Sequence, residues 1–330
     1  METMNENCPH PRTAVQRFGG RRRRCKICGK TWSVHARRRG PKHSRSSTAL
    51  LTQLLVAGVP TKRLCRDFRC TAAALQKRCQ FAIRQLADRP HVPVLPDGPL
   101  VLVADALRMN YQRQEWTLYN MAIKPVAVNT ASLWDPILLV GRESASGWRQ
   151  AIEQLSPSVR QNIKALVSDG LPGSDAICHE QGWIHQRCHW HILAVFMGSR
   201  MRRHRRETLL GKIRDVIYMA VRLALNTTDP ERLQTALGVL ETILPMIPKQ
   251  AWKLPGIIRQ FIADIDAFRA YQRHPELGLP VTTAVVESLH SRLRTITLRT
   301  HSADAVRRRA ACFVRLRPTM TCRARKHQQN

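Results

Sequence analysis

Two aspartates follow apolar runs, at positions where α/β enzymes often hold chemical groups. Residues 100–104 are small or branched apolar residues that lead directly into Asp105, and the largely apolar run 163–168 leads into Asp169. Such runs are typical of buried strands, and ligands of open α/β sheets bind beyond the carboxyl ends of the strands. A single aspartate here could be a simple turn residue. Two such aspartates in one chain predict a pair of carboxylates at one edge of a sheet.

A third carboxylate, Glu287, lies in a segment with helical periodicity. Residues 282–293 begin with two threonines that could cap a helix, and an apolar stripe follows them. On that helix Glu287 shares a face with Ser291 and Arg294 through the i, i+4, i+7 spacing. One interpretation is a surface ion pair. The other is a metal ligand beside Arg292 and Arg294, whose guanidinium groups suit phosphates.

A cysteine–histidine element occupies residues 186–191, with Cys188 and His191 in CxxH spacing. This spacing is typical of half a zinc site, but structural zinc almost always has four protein ligands and no second pair is near in sequence. The alternative is a structural role, in which both side chains pack and hydrogen-bond beside the acidic site. Both interpretations stay open on the sequence alone.

Residues 1–45 contain four candidate zinc ligands. Cys25 and Cys28 form a CxxC pair before a glycine, whereas Cys8 and His10 are only two residues apart. A segment this short and charged cannot bury a core without a metal ion. We therefore predict a small, basic, zinc-ribbon-like domain that binds Zn²⁺. The alternative is a disordered basic arm with incidental cysteines.

Residues 46–90 have the spacing of a helix-turn-helix domain. Apolar periodicity predicts helices within residues 46–58, 62–68 and 72–87. The third helix carries Gln76, Lys77 and Arg78, which a recognition helix could present to DNA. A plain helical hairpin is the alternative. The proline-rich residues 91–98 predict a stiff linker.

The charge balance indicates a polyanionic partner. Lys and Arg total 54 against 23 Asp and Glu, which gives a net charge of +31. The basic residues cluster, and Arg202 and Arg203 lie in one cluster, so we predict nucleic-acid binding. Solvated helix faces and a basic tail are the alternative. We expect no signal peptide, because the first residues are polar, and no membrane span, because no apolar run is long enough.

Residues 99–330 predict an α/β domain. Three neighbouring strand patterns come first, and helices then alternate with strands, which is typical of a mixed sheet with helices on its faces. We expect five strands in this sheet. Residues 192–280 carry helical patterns only, so they predict an all-helical insertion. The strand patterns occupy residues 100–105, 115–124, 125–130 with 136–141 as a continuation, 163–168 and 183–188.

The order and spacing of these motifs resemble the DDE transposases of bacterial insertion sequences, especially those similar to the Mutator-like group. An N-terminal zinc ribbon and a helix-turn-helix that recognise element ends are common in such proteins. This chain departs from the family at two places. Its first pair of zinc ligands, Cys8 and His10, has CxH spacing in place of CxxC, and Thr283 stands where the family frequently has Asn before the glutamate. Glu276 is a distant alternative to Glu287. The matching residues are Asp105 in VADA, Asp169 in SDG, Cys188 and His191 in RCHWH, and Glu287 in TTAVVES.

The resemblance implies a ribonuclease H-like fold and Mg²⁺-dependent hydrolysis at the element ends, followed by strand transfer into target DNA. Mg²⁺ prefers carboxylate oxygens, and two ions about 3.5–4 Å apart suit phosphodiester chemistry. Asp105 would then bridge both ions, and Asp169 and Glu287 would each hold one. The implied partners are element ends, target DNA and further copies in a homodimer or a higher synaptic assembly. The implied location is the bacterial cytoplasm, at the nucleoid.

Two other functions fit parts of the pattern. A DNA-binding regulator would use the first 90 residues and carry an inactive catalytic domain. A nuclease on the same fold would cut DNA without joining it. A regulator does not need three correctly placed acids, whereas a nuclease needs the same residues as a transposase.

Overall fold

The computed structural model describes residues 4–5, 8–11, 14–17, 22–33, 46–111, 113–197, 208–297, 300 and 302–322, with the side chains of residues 4–11 and 33 outside the description. The chain divides into two compact units, Met1–Ser46 and Ser47–Asn330. No helix within the described residues is long and apolar enough to cross a membrane.

The described residues of the first unit include five short strands in antiparallel pairs. Strand β1 pairs with β2, and β3, β4 and β5 form a separate three-stranded sheet. Gly29 closes the turn between β4 and β5 in the left-handed region, at φ +71°, and its N–H donates to Cys25 O at 2.9 Å. The strands are β1 (Met4–Asn5), β2 (Cys8–Pro11), β3 (Val15–Arg17), β4 (Arg22–Cys25) and β5 (Thr31–Ser33).

The second unit opens with the helices predicted for residues 46–90. The longest of them begins and ends at the predicted residues, and Thr71 Oγ1 caps it by accepting from Ala74 N at 3.2 Å. These helices pack against a late helix, α14 (Ala303–Leu316), so they belong to the same compact unit as the sheet. They are α1 (Ser47–Leu51), a π-helical turn (Thr52–Val56), α2 (Thr61–Asp67) and α3 (Ala72–Ala87).

A mixed sheet of seven strands forms the centre of this unit, so the expected count of five is wrong. The order is β11-β10-β6-β7-β8-β12, and β9 also pairs with β7. Strands β11, β10 and β6 are parallel, and the remaining pairs are antiparallel. The strands are β6 (Leu100–Tyr111), β7 (Gln114–Pro125), β8 (Thr130–Leu133), β9 (Ile137–Val140), β10 (Ile163–Ser168), β11 (Ile184–Arg187) and β12 (Thr319–Thr321).

Strand β6 does not end at Asp105, in contrast to the prediction. It continues to Tyr111 because β7 pairs with it along its whole length, with Asp105 opposite Asn120. Its parallel neighbour β10 pairs only as far as Val103. Asp105 therefore lies where β6 extends past β10, and it still reaches the edge at which Asp169 follows β10.

Alternation along β6 distributes its side chains between two helical layers. Val101, Val103 and Leu107 pack with α13 (Ala284–Thr297) and α14, while Leu102 and Ala104 pack on the opposite face. Because strand side chains alternate, Asp105 shares the face of Val103 and Leu107, beneath α13. The opposite layer contains α4 (Ala145–Glu153), α5 (Pro157–Asn162) and α6 (Ser174–Gln181).

The described part of residues 189–273 is helical and has its own apolar core, centred on Ile217, Val221, Leu240, Ile258 and Phe261. The continuous helical pattern near its end is broken into three helices, because the backbone leaves helical geometry at Asp264 and Arg269. The helices are α7 (His189–Met197), α8 (Leu209–Asn226), α9 (Pro230–Ile243), α10 (Leu254–Ala263), α11 (Ile265–Phe268) and α12 (Ala270–Arg273).

Helix α4 meets the sheet at Gly147, where a Cβ would lie 2.1 Å from Tyr119 Oη. The same hydroxyl accepts from Ser144 N at 3.2 Å. We expect Gly147→Ala to lower the free energy of unfolding by about 1–3 kcal/mol, because the Tyr119 ring must shift within a packed core. The matched control is Gly238→Ala in α9, where an added Cβ meets nothing within 4 Å. Gly238→Ala should raise the free energy of unfolding by about 0.5–1 kcal/mol. Urea denaturation measures the free energy of unfolding of both variants, and equal changes would contradict the close packing of Gly147 against Tyr119.

Candidate metal centre

Asp105 is a buried carboxylate among other charged groups. Asp105 is only 7% exposed, and its Oδ1 accepts a hydrogen bond from Ala106 N at 2.8 Å. Burial raises the pKa of Asp105 to about 7, and the negative charges of Asp169 and then Glu287 act in the same direction, while His191 opposes them. A cation between these carboxylates would relieve their repulsion and favour their ionised forms.

Asp105, His191 and Glu287 form a group that could hold a metal ion. Each offers one ligand atom, and these atoms all lie within 4.8 Å of one another. His191 Nε2 lies 2.9 Å from Glu287 Oε1. The three residues come from β6, α7 and the first turn of α13, so the group depends on the tertiary fold.

Asp169 lies beside this group without being one of its members. It directly follows β10, and its charge raises the pKa of both Asp105 and His191. Together with Cys188 and His191 it lines a pocket of about 330 Å³ whose remaining wall is mostly apolar. The structure thus brings Asp105 and Glu287 together with His191, and it places Asp169 at the margin of the same site.

Cys188 joins the elements that carry these groups. Its Sγ accepts from Thr283 N at 3.3 Å and from Thr283 Oγ1 at 3.5 Å, and its N–H donates to Ser168 O at 2.7 Å. Burial would raise the pKa of the Cys188 thiol, but interactions with His191 and Thr283 outweigh it and lower the pKa. These contacts tie the start of α13 to the end of β10.

The surroundings of His191 favour its protonated form. The neighbouring Cys188 side chain raises the pKa of His191 to about 9, against an opposing effect of burial, and the charges of Asp169 and Asp105 add to the rise. A protonated imidazole cannot bind a metal ion until it loses its proton. In the metal-free protein a protonated His191 would pair with Glu287 Oε1 at 2.9 Å, and a bound cation would favour loss of that proton.

Two buried polar residues around Asp105 were not predicted. His290 Nδ1 lies 3.6 Å from Asp105 Oδ2, and His290 Nε2 lies 3.0 Å from Asn120 Nδ2. Because Asn120 Nδ2 is a donor, Nε2 accepts and the proton sits on Nδ1, facing Asp105. Burial lowers the pKa of His290 to about 4, so the ring is neutral. Its i, i+3 spacing from Glu287 was the available sequence signal.

Ser168, just before Asp169, takes part in a hydrogen-bond chain that resembles a catalytic triad. Ser168 Oγ lies 3.0 Å from His185 Nε2, and His185 Nδ1 lies 2.9 Å from Asp175 Oδ1. Ser168 is completely buried, so no substrate can reach its hydroxyl. The chain instead holds the end of β10 against β11 and α6, which fixes one side of the Asp169 turn.

No protein-family model matches the chain, and no curated protein matches it. A function must therefore be inferred from the fold, the charge and the geometry of the site. The alternative glutamate, Glu276, is exposed, and its Oε1 lies 3.3 Å from His274 Nδ1. Glu276 is not a member of the group formed by Asp105, His191 and Glu287.

The predicted DNA-contacting residues lie on exposed helix faces where they are described. Gln76, Lys77 and Arg78 are exposed on α3, and the guanidinium of Arg78 lies 5.6 Å from the centre of the Phe68 ring. Arg292 and Arg294 are exposed on α13, the helix that carries Glu287. Arg202 and Arg203 lie outside the described residues.

The predicted zinc ligands are only partly described. Cys25 is buried at the end of β4, and Cys28 is exposed in the following turn. Cys8 and His10 belong to β2, but their side chains lie outside the described residues. Zinc binding by these four residues therefore stays a prediction.

Purified full-length protein should contain about one zinc ion per chain, since a structural site has four ligands and binds tightly. Cys28→Ser should lose most of this zinc, and Cys70→Ser, which changes a partly buried cysteine between α2 and α3, should retain it. Elemental analysis after purification without chelators measures both. Zinc-free wild-type protein, or full retention by Cys28→Ser, would contradict the prediction.

Proposed function

We propose that this protein is a DDE-type DNA transposase that cleaves and joins phosphodiester bonds with bound metal ions. The single observation that carries the proposal is the convergence of Asp105 and Glu287, with His191, on a group that could hold a metal ion. A net charge of +31 supports a polyanionic substrate. Element ends, target DNA and further copies of the chain are the partners in this proposal.

The fold in this proposal is ribonuclease H-like. Support comes from the mixed sheet, in which the antiparallel strands β6, β7 and β8 continue into the parallel strands β10 and β11. Asp105 and Asp169 lie at the same edge of that sheet, and Glu287 approaches from the helix that covers it. Strands β9 and β12 would then be additions, and the helices after β11 an insertion.

The donor set fits Mg²⁺. Asp105, Asp169 and Glu287 would hold two ions through oxygen atoms, which hard cations prefer. In the metal-free protein the pKa of His191 is raised and its Nε2 lies 2.9 Å from Glu287 Oε1, so we assign His191 to orienting that carboxylate and the metal to the oxygen ligands. Bound Mg²⁺ would supply activation of a water or a 3′-hydroxyl and stabilisation of the leaving oxygen.

The protein's own residues orient the acids and the substrate. His191 holds Glu287 through a 2.9 Å contact, and neutral His290 faces Asp105. Arg292 and Arg294 are exposed beyond Glu287 on α13, and Arg294 shares its helix face, so these guanidinium groups would bind phosphates of the substrate. The exposed face of α3 would select the element ends, since a helix of this type reads base edges in the major groove.

A nuclease is the second candidate, because the same acids serve cleavage without joining. To separate them, the full-length protein is mixed with Mg²⁺, a supercoiled target plasmid and duplexes from the DNA that borders its coding region. We expect nicks with 3′-hydroxyl ends and products in which these ends are joined to the plasmid. Cleavage without joining would show that the protein is a nuclease and not a transposase. Tight binding of the duplexes without cleavage or joining would favour a DNA-binding regulator.

A further inference from the structure

A charged pair from two different parts of the fold contacts the Asp169 turn. Arg187 is the last residue of β11, and Asp264 lies between α10 and α11 of the helical region. The Arg187 Nη1 group donates to Asp264 Oδ2, and Gln260 Nε2 donates to the same oxygen at 2.8 Å. The two charged side chains are 20% and 19% exposed, so solvent screens the pair only weakly.

The guanidinium of Arg187 packs directly on the main chain at Asp169 and Gly170. Its Nη2 donates to Asp169 O at 3.5 Å. A Cβ at Gly170 would lie 2.2 Å from Nη2, and Gly170 has φ +96°, so glycine both permits the turn and leaves space for the guanidinium. The Asp-Gly sequence at this strand end thus fits the guanidinium of Arg187 against the turn.

Arg187 also contacts the helical region. Its guanidinium lies 5.0 Å from the centre of the Phe268 ring, within the range of a cation–π contact. The neighbouring Gln186 Nε2 donates to Phe268 O at 3.0 Å, and His189 Nε2 lies 2.7 Å from the same oxygen. These contacts join α11 to the end of β11, next to Arg187.

We propose that Arg187 is a positioning residue that sets the Asp169 carboxylate relative to Asp105 and Glu287, and that Asp264 holds Arg187 in place. Asp169 follows strand β10 and lies outside the 4.8 Å group, and Arg187 contacts the main chain of its turn. Metal ligands must be held within about 0.5 Å of their productive positions. Through this pair the helical region sets the geometry of the metal centre. The inference rests on the proposed function, in which Asp169 binds metal.

The test compares Arg187→Gln, Asp264→Asn and the double variant with a matched control, Arg273→Gln. Arg273 pairs with Asp266 in the same helical region, but the two side chains are 55% and 64% exposed, so solvent screens this pair strongly. Mn²⁺ affinity of the full-length protein is measured by electron paramagnetic resonance of the free ion. Cleavage is measured as kcat and as KM for the duplex.

We expect Arg187→Gln and Asp264→Asn each to weaken Mn²⁺ binding or to lower kcat by about 10–100-fold, as substitutions behind metal ligands do. KM for the duplex should not change, because neither side chain is assigned to DNA. The double variant should be no worse than the poorer single variant, since both substitutions break one unit. Arg273→Gln should behave as wild type.

Thermal unfolding separates this role from a purely structural one. If Arg187→Gln does not fold, the isosteric Asp264→Asn and the charge-retaining Arg187→Lys carry the test, and Arg187→Lys should recover part of the Mn²⁺ affinity. Folded variants with the Mn²⁺ affinity and kcat of Arg273→Gln would overturn the inference while the proposed function stands. A wild-type protein that binds Mn²⁺ but never cleaves DNA would overturn the proposed function. The Mn²⁺ affinities of the variants would still decide the role of Arg187. A wild-type protein that does not bind Mn²⁺ would overturn both the proposed function and the role of Arg187.

Discussion

Replacement of Asp105 with asparagine is expected to stop DNA cleavage and to leave DNA binding intact. Asparagine keeps the shape of the side chain and removes the charge that would hold the cation. A lost metal contribution of about 4 kcal/mol corresponds to a rate about 10³-fold lower. The matched control is Asp229→Asn, because Asp229 caps α9 far along the helical region and asparagine caps equally well. Single-turnover cleavage and duplex binding are measured for both variants.

The same substitution should stabilise the metal-free protein. Burial raises the pKa of Asp105 from its ordinary 3.8 to about 7, so the folded state binds a proton more tightly than the unfolded state. The contribution of Asp105 to stability is therefore full below about pH 4 and falls as the pH rises to about 7. At pH 8 and without metal, Asp105→Asn should unfold at a higher temperature than wild type. A lower Tm would mean that the carboxylate makes contacts that stabilise the fold.

DNA affinity is expected to fall about 10³–10⁵-fold between 50 and 200 mM salt, as for proteins with 6–10 phosphate contacts. The reason is the net charge of +31, since each neutralised phosphate releases condensed counterions. Arg292→Ala and Arg294→Ala should each reduce the log–log slope by about 0.9, without a change in sequence preference. Binding titrations at several salt concentrations measure the slope, and a flat salt dependence would contradict a phosphate-dominated interface.

Sequence preference should depend on a different set of residues. Alanine at Gln76, Lys77 and Arg78 on the exposed face of α3 should reduce discrimination between element ends and unrelated duplexes. Arg142→Ala, at an exposed side chain that pairs with Glu115, is the matched control. Deletion of residues 1–90 is not a clean test, because α1 and α3 share a core with α14. Equal discrimination by all variants would remove α3 from recognition.

Local patterns predicted those parts of the fold that local interactions determine. Helix α3 begins and ends at the predicted residues, because Thr71 caps it and its apolar face has regular spacing. Strand pairing between segments that are distant in the chain gave no comparable signal in the sequence. Strand β12 is three polar or partly buried residues near the far end of the chain, and it exists only because β8 offers an edge. Likewise, β6 passes Asp105 because β7 pairs along its full length.

The candidate site shows the same division. Asp105, Asp169 and Glu287 were identified from strand and helix patterns, and Asp105 and Glu287 do meet. The sequence placed Cys188 and His191 beside the acidic site, but it could not indicate that His191 Nε2 would contact Glu287, since that contact depends on the approach of α7 to α13. The contact between Arg187 and Asp264 spans 77 positions in sequence and is visible only in the fold.

The position of a bound metal ion tests the central claim most directly. Crystals of the full-length protein grown with Mn²⁺ would reveal it by anomalous scattering. We predict density with carboxylate oxygens of Asp105, Asp169 and Glu287 at about 2.0–2.2 Å, with His191 outside the coordination sphere. An ion held by His191 and Cys188 instead, or no ion near Asp105, would contradict the account.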